Sequence, residues 1–341
     1  MDRLRRKKRR RRRIAFILLP VLLILFTGLA YGGYLTYKLA SATSNANSEL
    51  NRGEKSDMRD EAVNPAKDNF SVLFVGIDER DVGENSRTDA LILATFNKKE
   101  KSVKMVSIPR DTLAEIPEHG KDKINHAHAF GGMDMTVATV ENMFDVPVDY
   151  FVKLNFNAFI EIVDSLNGVE VDVPFDFTVQ DSKDRKNAIS LKEGTHTLNG
   201  EEALGYVRMR KQDPTGDLGR GERQKELIKA ILDKSKSVSS VTKYDNVIDN
   251  VGDNMLTNFT FGNIVALQKY ASSLNNIETL KLEGHDLNDH GYYYELEDES
   301  LWQVSDTLKK HLEYEEDAQT EESQGQNQEE EQSQDYSQEQ Q

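Results

Sequence analysis

Short apolar runs alternate with stretches of helical periodicity through the middle of this chain. FSVLFVGI (70–77) is a β-branched apolar run of the kind that forms a buried strand. TDALILATF (88–96) and KSVKMVSI (101–108) predict two more strands, joined by a turn at NKKE. Because predicted strands and helices interleave, the pattern indicates an α/β domain with helices on both faces of a sheet.

The same pattern predicts the elements that follow. Asp134 is the expected N-cap of one helix, and Gly168 is the expected end of another. The segment 175–199 is polar and irregular. The other predicted elements are strands at 149–156, 169–173 and 277–284 and helices at 134–145, 157–168, 200–210, 220–235, 241–252, 260–274 and 299–312.

The N-terminus has the pattern of a membrane anchor. Residues 1–13 hold ten Lys or Arg and one Asp, and an uncharged apolar stretch follows over 14–37, where a span needs roughly 20 residues. Basic residues before a span stay in the cytoplasm, so we predict a single-pass type II protein of the cell membrane with an uncleaved signal-anchor. A cleaved signal peptide, with small residues at 39–46, and a nucleic-acid-binding arm are the alternatives.

Polarity and charge set the remaining boundaries. Residues 38–68 lack apolar periodicity and predict an extracellular linker, while the acidic, Gln-rich segment 313–341 predicts a disordered tail. One folded domain, 69–312, lies between them. The net charge is −16 overall and −14 over 14–312, which argues against a nucleic acid partner. The absence of cysteine excludes disulfides, thiolate metal sites and a Cys nucleophile.

Familiar catalytic signatures are missing from the sequence. It contains no Gly-x-Ser-x-Gly elbow, no phosphate loop ending in Gly-Lys-Ser/Thr and no His-Glu-x-x-His. KINHAHAFGG (123–132) places His126 and His128 two positions apart. A metal pair there has no obvious third ligand nearby, so a loop that packs on its own glycines is the preferred interpretation.

Two carboxylates stand at the ends of predicted strands. Asp78 directly follows the first strand, and Asp89 opens the second. Ligands of α/β sheets collect at strand ends, and two carboxylates with phosphate as a further ligand commonly hold Mg²⁺. The spacing alone is also compatible with each Asp capping a turn. Arg87 and the adjacent Arg110 and Asp111 add charges at similar strand edges.

Four arginines flank one loop in YVRMRKQDPTGDLGRGERQ (206–224). Arg208 and Arg210 end one predicted helix, whereas Arg220 and Arg223 begin the next, one helical turn apart and so on a shared face. Guanidinium groups bind two phosphate oxygens at once, and helix N-termini offer free N–H groups to anions. This density of arginine in an acidic chain predicts a phosphate-rich ligand. Surface ion pairs with Asp or Glu are the alternative.

Six motifs together carry a family resemblance. VGID, RTDALIL, SIPRDT, KINHAHAFGG, EALGYVRMR and GDLGRGERQ occur in the order and approximate spacing of the LytR-CpsA-Psr family of Gram-positive cell-wall proteins. The resemblance implies a mixed sheet between helices, with an apolar groove for a prenyl chain. It also implies a phosphotransferase outside the membrane, which moves an anionic glycopolymer such as wall teichoic acid from polyprenyl pyrophosphate to a muramic-acid hydroxyl of peptidoglycan.

The resemblance also implies roles for individual residues. Asp78 and Asp89 would hold Mg²⁺ against the pyrophosphate, with Gln224 and Asp217 supporting the site. Since arginine cannot act as a base, Asp89 is the first candidate to accept the hydroxyl proton, and Asp111 is the second. The cations expected to neutralise the pyrophosphate are Arg87, Arg110, Arg208, Arg210, Arg220 and Arg223. Placed where charge develops, such cations stabilise a transition state electrostatically.

Two other functions remain open on sequence alone. A prenyl pyrophosphate phosphatase or pyrophosphatase would use the same site with water in place of the glycan, and an acceptor-binding surface would distinguish the two. A membrane-tethered regulator acting on DNA would need a basic cytoplasmic domain, and the 13 residues before the apolar stretch are too few to fold. No obligate protein partner is expected.

Overall fold

The computed structural model describes most of the chain between residues 46 and 314. Nearly all of the predicted anchor, the predicted helix at 241–252 and nearly all of the acidic tail lie outside the described residues. No helix within the described part is both long enough and apolar enough to cross a membrane. The described ranges are 46–78, 86–210, 212–214, 217–237, 254–270, 272–288 and 291–314, with single residues at 34, 37 and 41.

Strands and helices interleave along the chain, as the apolar pattern predicts. The strands are β1 (Phe70–Ile77), β2 (Thr88–Asn97), β3 (Ser102–Ile108), β4 (Leu113–Ile116), β5 (Gly120–Lys123), β6 (Tyr150–Asn155), β7 (Val169–Val173), β8 (Phe177–Val179), β9 (Ile189–Leu191), β10 (Gly194–Leu198), β11 (Met255–Thr257), β12 (Ile277–Leu280), β13 (Gly284–Asn288) and β14 (Tyr292–Leu296). The helices are α1 (Ile124–Phe144), α2 (Phe156–Ser165), α3 (Gly200–Arg208), α4 (Asp217–Ser237), α5 (Phe261–Leu267) and α6 (Asp298–Leu312).

Six strands form a central mixed sheet in the order β11-β6-β1-β2-β3-β12. β1 pairs antiparallel with β2 and parallel with β6, and β2 pairs antiparallel with β3. β12 is parallel to β3, and β11 is antiparallel to β6. β1 lies inside the sheet and is covered on both faces, which explains why its sequence is a nearly continuous apolar run. The predicted α/β class with a mixed sheet is confirmed.

The two faces of the sheet are packed differently. Successive side chains of a strand point to opposite faces, so Leu73 and Ile77 of β1 point one way and Val72 and Phe74 the other. On the first face α1 and α6 pack against the strands and form a closed apolar core. On the second face the covering helices leave a large cavity above the strands.

The last part of the predicted linker packs onto the folded domain. Leu50 is buried in the core on the α1 side of the sheet. Arg52 forms an ion pair of 2.6 Å with the buried Glu141, and Arg59 forms one of 2.9 Å with the buried Asp149. The folded domain therefore begins well before the start that the sequence pattern predicts. The polar composition of this segment gave no sign of the packing, because the ion-pair partners of both arginines lie far along the chain.

Two segments are more regular than their sequences indicate. KINHAHAFGG, interpreted as a loop, forms the first half of α1 from Ile124 onward, and its Gly131 and Gly132 interrupt the helix with non-helical backbone. Asp134 does not act as the predicted N-cap, since its Oδ1 accepts a hydrogen bond of 2.7 Å from the Asn51 backbone N–H. The polar segment 175–199 contributes β8, β9 and β10, strands too short to show a clear alternation.

A buried histidine near the end of α6 fixes this helix to the sheet. His311 Nδ1 lies 2.7 Å from Thr95 Oγ1 on β2, and its Nε2 lies 2.8 Å from Ser102 Oγ on β3. Burial lowers the pKa of His311 to about 4. The imidazole is therefore neutral at pH 7, with one nitrogen donating and the other accepting.

We expect His311 to make the free energy of unfolding depend on pH below the usual histidine pKa of 6.5. Between pH 6.5 and about 4 the unfolded chain binds a proton that the folded chain does not, so stability falls as the pH is lowered through this window. His128, whose pKa burial also lowers to about 4, adds to the same slope. Thermal unfolding between pH 7.5 and 4.5 should show a smaller fall in Tm for His311→Gln.

His285→Gln is the matched control for this measurement. His285 lies on β13 with a side chain that is 62% exposed, so the same substitution there removes no buried imidazole. An unaltered slope in His311→Gln would show that the buried imidazole does not control stability in this window.

Candidate active site

The second face of the sheet forms the floor of a cavity of about 1070 Å³. Small residues at cavity-facing positions make room for it, namely Gly76 on β1 and Ala90 and Ala94 on β2. A Cβ atom at Gly76 would lie only 3.2 Å from the Ala90 Cβ. Apolar side chains from β1, β6, α2, α4 and α5 line most of the rest, including Phe74, Val152, Phe159, Leu227, Ile231 and Leu267.

Charged residues gather at one end of this cavity because of the strand directions. β1 and β3 end at the edge where the antiparallel β2 begins, and this brings together Asp78, Asp89 and Arg110. Arg110 Nη1 donates to Asp89 Oδ1 at 2.7 Å, and Arg208 Nη2 donates to Asp78 Oδ2 at 3.2 Å. All four residues line the cavity, so a mainly apolar space ends in two carboxylates and two guanidinium groups.

Arg208 is held in place by its surroundings. It is the last residue of α3, a helix that starts with a complete capping box at Asn199 and Glu202. Its guanidinium carbon lies 4.4 Å from the centroid of the Phe156 ring, a cation–π contact. Its Nη1 is buried and has no hydrogen-bond partner among the described residues. A buried donor without a partner is costly, so an anionic oxygen bound here would be stabilised.

Three more of the predicted polar residues reach the cavity. Arg210, Arg220 and Gln224 all line it, and Arg220 is 7% exposed. Arg220 and Gln224 are four positions apart on α4 and therefore share one side of the helix. Asp217 is the first residue of α4, and its supporting role stays a prediction.

Arg223 is not among the described residues that line the cavity. At about 100° per residue, it lies about 60° around α4 from Arg220. Its Nε donates to the Tyr206 carbonyl at 3.0 Å, and its other nitrogens bind the Met209 carbonyl and the Asp213 carboxylate. The predicted ligand-facing side shared by Arg220 and Arg223 is not observed, because the donors of Arg223 hold the connection between α3 and α4.

Arg87 and Asp111 also lie outside the cavity lining as described. Arg87 is exposed just before β2. Asp111 is buried, with Oδ1 at 2.8 Å from Lys123 Nζ and Oδ2 at 3.6 Å from Arg110 Nε. Asp111 therefore positions Arg110 without lining the cavity itself. Of the two candidate bases, Asp89 is the one that faces the cavity.

His126 and His128 bind separate partners. His126 Nδ1 lies 2.7 Å from Asp122 Oδ2. The buried His128 binds the Ser86 carbonyl through Nδ1 at 2.5 Å, and its Nε2 lies 3.4 Å from Lys153 Nζ. The possible metal pair is therefore not formed. Across the described residues, no group of three or more His, Asp or Glu side chains could hold a metal ion.

Asp78 and Asp89 fit a different kind of metal site. Their side chains are 51% and 32% exposed, which leaves space for water and phosphate ligands. Mg²⁺ usually binds proteins through one or two carboxylates and completes its coordination with substrate phosphates and water. The two carboxylates therefore suit Mg²⁺ that arrives together with a phosphate ligand.

Comparison with known proteins decides the family. The LytR_cpsA_psr family matches residues 33–310. This chain belongs to the LytR_cpsA_psr family. Among its relatives, the polyisoprenyl-teichoic acid–peptidoglycan teichoic acid transferase TagT of Bacillus subtilis (strain 168) is 47% identical over 287 residues, 82% of this chain and 88% of TagT. TagV of the same strain, with the corresponding name, is 40% identical over 313 residues, 89% of this chain and 80% of TagV.

Solved structures of LytR_cpsA_psr proteins share the fold. TagT bound to LI-WTA has 46% identity and a TM-score of 0.68, covering 78% of this chain and 99% of that chain. The LytR-CPS2A-psr family protein YwtF (TagT) with bound octaprenyl pyrophosphate lipid has 44% identity and a TM-score of 0.64, with the same coverage. The resemblance inferred from six short motifs is confirmed.

Some polar residues of this LytR_cpsA_psr cavity had no signal in the sequence. The connection between β8 and β9 supplies Gln180, Lys186 and Asn187, and Gln212 follows α3. Asp184, from the same connection, lies 3.8 Å from Arg208. A short polar run without periodicity reveals neither its pairing nor its neighbours. Only the packing of the β8–β9 hairpin beside α3 brings these residues to the site.

Proposed function

We propose that this chain is a phosphotransferase that moves an anionic cell-wall glycopolymer, such as wall teichoic acid, from a polyprenyl pyrophosphate carrier to peptidoglycan. One observation carries the proposal: the cavity is apolar over most of its lining and ends in Asp78, Asp89 and a cluster of arginines. These two parts correspond to the prenyl chain and the pyrophosphate of such a donor. Relatives named as teichoic acid transferases, and one solved with octaprenyl pyrophosphate lipid, support it.

The arginines act where charge develops. In the transfer, a P–O bond forms between the acceptor hydroxyl and the polymer's phosphorus, while the P–O bond to the lipid phosphate breaks. Arg110, Arg208, Arg210 and Arg220 neutralise the pyrophosphate and the departing lipid phosphate. The Nη1 of Arg208, which has no hydrogen-bond partner within the described ranges, would donate to one of these oxygens. Fixed donors in a mainly apolar cavity are more effective than the same groups in water.

Asp89 accepts the proton of the attacking hydroxyl. Arginine has no acceptor, so a carboxylate must take this role if a side chain does. Arg110, at 2.7 Å, orients Asp89, and the buried Asp111 in turn fixes Arg110. Asp78 and Asp89 would hold Mg²⁺, which supplies further positive charge against the phosphate oxygens when it is bound.

The membrane arrangement belongs to the same proposal. The basic residues 1–13 and the apolar stretch 14–37 are those of an N-terminal anchor, with the folded domain outside the cell. A prenyl-linked donor resides in the membrane, so a tethered domain would meet it there. Protease added to intact protoplasts should digest the chain beyond about residue 40, the end expected for the span. Protection until lysis would contradict this arrangement.

A transfer assay tests the proposed activity directly. The full chain in detergent is incubated with a lipid-linked polymer and a peptidoglycan oligomer, with and without Mg²⁺. Polymer covalently attached to the oligomer, together with released lipid phosphate, is the expected result. Release of lipid phosphate without attachment would instead establish the phosphatase alternative, in which water attacks at the same site.

We expect a bulky residue in the apolar cavity to impair use of long prenyl donors. Val152 lies on β6 and lines the cavity, so Val152→Phe would occupy space needed by the chain. The KM for a long-chain donor should rise by roughly tenfold, since the loss of about two buried CH₂ groups costs that much in affinity. A donor with a short prenyl chain should be affected less. The measurement is initial rate against donor concentration for both chain lengths.

Val265→Phe provides the matched control on the outer side of α5. Val265 is 44% exposed, although its neighbours Ile264 and Leu267 line the cavity. The same substitution there should leave both KM values unchanged. Equal effects of Val152→Phe on long and short donors would show that the prenyl chain does not occupy this cavity.

A further inference from the structure

Two adjacent tyrosines, one exposed and one half-buried, lie close to the candidate active site. Tyr292 and Tyr293 open β14, and Tyr292 is 40% exposed. Lys123 Nζ lies 5.7 Å from the centroid of each ring. The Tyr292 hydroxyl donates to Asp286 Oδ1 on β13 at 2.9 Å, which fixes the ring across the hairpin. The proposed chemistry uses none of these side chains.

A continuous series of contacts joins this pair to Asp89. Lys123 Nζ lies 2.8 Å from Asp111 Oδ1, Asp111 Oδ2 lies 3.6 Å from Arg110 Nε, and Arg110 Nη1 lies 2.7 Å from Asp89 Oδ1. The backbone adds a second link, because Tyr294 N–H donates to the Asp111 carbonyl at 2.9 Å. The β13–β14 hairpin is therefore held at a fixed position relative to the candidate base.

The pair lies outside the cavity, beyond Arg110. Asp89 and Arg110 line the cavity, whereas Asp111, Lys123 and the two tyrosines are not among its lining residues. Phosphoryl transfer places the attacking and leaving oxygens roughly in line. With the lipid phosphate leaving toward the apolar cavity, the acceptor hydroxyl must approach from the opposite side. Asp89 and Arg110 stand at the charged end of the cavity, and the hairpin is attached to Arg110 through Asp111.

We propose that Tyr292, Tyr293 and Lys123 form the docking surface for the acceptor, a peptidoglycan glycan strand. This inference rests on the proposed transferase function. The C–H faces of sugar rings are apolar and slightly positive, and they pack on the electron-rich faces of aromatic rings. Tyrosine offers such a face at a low cost in conformational entropy.

Charge favours the acceptor strand over the donor polymer at this surface. Asp111 offsets the charge of Lys123, and Asp286 stands beside Tyr292, so the surface has no excess of positive charge. A polyanionic polymer would gain little here, whereas a glycan strand needs aromatic faces and few charges. The Lys123 side chain is 23% exposed and can still meet an isolated carboxylate of a muramic-acid strand.

The test measures transfer by the full chain in detergent while the concentration of a peptidoglycan oligomer is varied at saturating lipid donor. The double variant Tyr292→Ala/Tyr293→Ala should raise the KM for the oligomer roughly tenfold, the loss expected for removing apolar contact of this size. The donor KM should not change. Tyr292→Phe/Tyr293→Phe, which keeps both rings, should retain the wild-type KM for the oligomer.

Trp302→Ala is the matched control, since Trp302 is an aromatic residue on α6 that is 63% exposed. It should behave as wild type. The single variant Tyr292→Ala replaces the double variant if thermal unfolding shows that the latter does not fold. An unchanged oligomer KM in the alanine variants would overturn the docking surface and leave the transferase function standing. A rise in donor KM instead would overturn it too, because the surface would then hold the polymer.

A wild-type chain that attaches no polymer to the oligomer would defeat the proposed function rather than this inference alone. Binding separates the two cases. A lipid-free peptidoglycan tetrasaccharide titrated into the wild-type chain should bind roughly tenfold more tightly than to the double variant, the same difference of about 1.4 kcal/mol. Equal binding would refute the docking surface independently of catalysis.

Discussion

Asp89→Asn should lower the rate of polymer transfer by roughly three powers of ten, the middle of the range for a lost general base. The amide keeps the size of the carboxylate and can still accept from Arg110 through its oxygen. It cannot take a proton from the attacking hydroxyl, and it brings no negative charge to Mg²⁺. Because Asp89 is partly exposed at the end of the cavity, the fold should be unaffected.

The measurement is the rate at saturating donor and Mg²⁺, with Tm recorded for each variant. Asp111→Asn is the informative comparison, because Asp111 is buried between Lys123 and Arg110 and its loss should lower Tm as well as rate. Asp78→Asn should raise the Mg²⁺ concentration that gives half the maximal rate. Full activity of the Asp78 and Asp89 variants in excess chelator would remove the metal from the mechanism.

The first three strands of the sheet could be predicted because they are short, apolar and close together in sequence. β1, β2 and β3 follow one another with short connections, so their apolar runs and the turns between them were sufficient to predict their positions. The positions of Asp78 and Asp89 followed from the same pattern, since a residue just after one strand and a residue opening the next antiparallel strand meet at one edge of a sheet. Local sequence carries information of this kind.

Interactions between distant segments could not be predicted in the same way. Arg52 and Glu141 are 89 positions apart, and nothing local marks either as half of a pair. Whether Arg220 or Arg223 faces the cavity depends on the rotation of α4 about its own axis. Sequence periodicity defines this rotation only to within about one residue, which corresponds to about 100°. Residues from the β8–β9 connection reach the site through tertiary packing alone.

Arginine-to-lysine substitutions should distinguish the arginines that face the cavity from Arg223, which stabilises the connection between α3 and α4. Arg208→Lys, Arg210→Lys and Arg220→Lys should each slow transfer by about one to two powers of ten, because one lost hydrogen bond to a charged group is worth roughly 1.5–3 kcal/mol. Lysine keeps the charge but loses the planar fork that meets two phosphate oxygens at once. Arg208 illustrates the point, since one of its terminal nitrogens binds Asp78 while the other has no hydrogen-bond partner within the described part of the chain.

Arg223→Lys should act on stability instead. Its side chain is 4% exposed and donates to two backbone carbonyls and the Asp213 carboxylate, contacts that a single ammonium group cannot all replace. Disrupting a buried ion pair of this kind costs roughly 3 kcal/mol, which lowers Tm by about 5–10 °C in a domain of this size. Arg185→Lys is the exposed control, because Arg185 is 73% exposed in its pair with Asp181 and should alter neither property.

If the arginines instead form surface ion pairs with Asp or Glu, the opposite result is expected. Exposed ion pairs contribute only about 0–1 kcal/mol, and lysine serves in them nearly as well as arginine. If the lysine variants of Arg208, Arg210 and Arg220 all release lipid phosphate at close to wild-type rates with unchanged Tm, the guanidinium groups do not clamp a pyrophosphate. The charged end of the cavity would then be a solvated surface, and the active site would have to be sought elsewhere in the molecule.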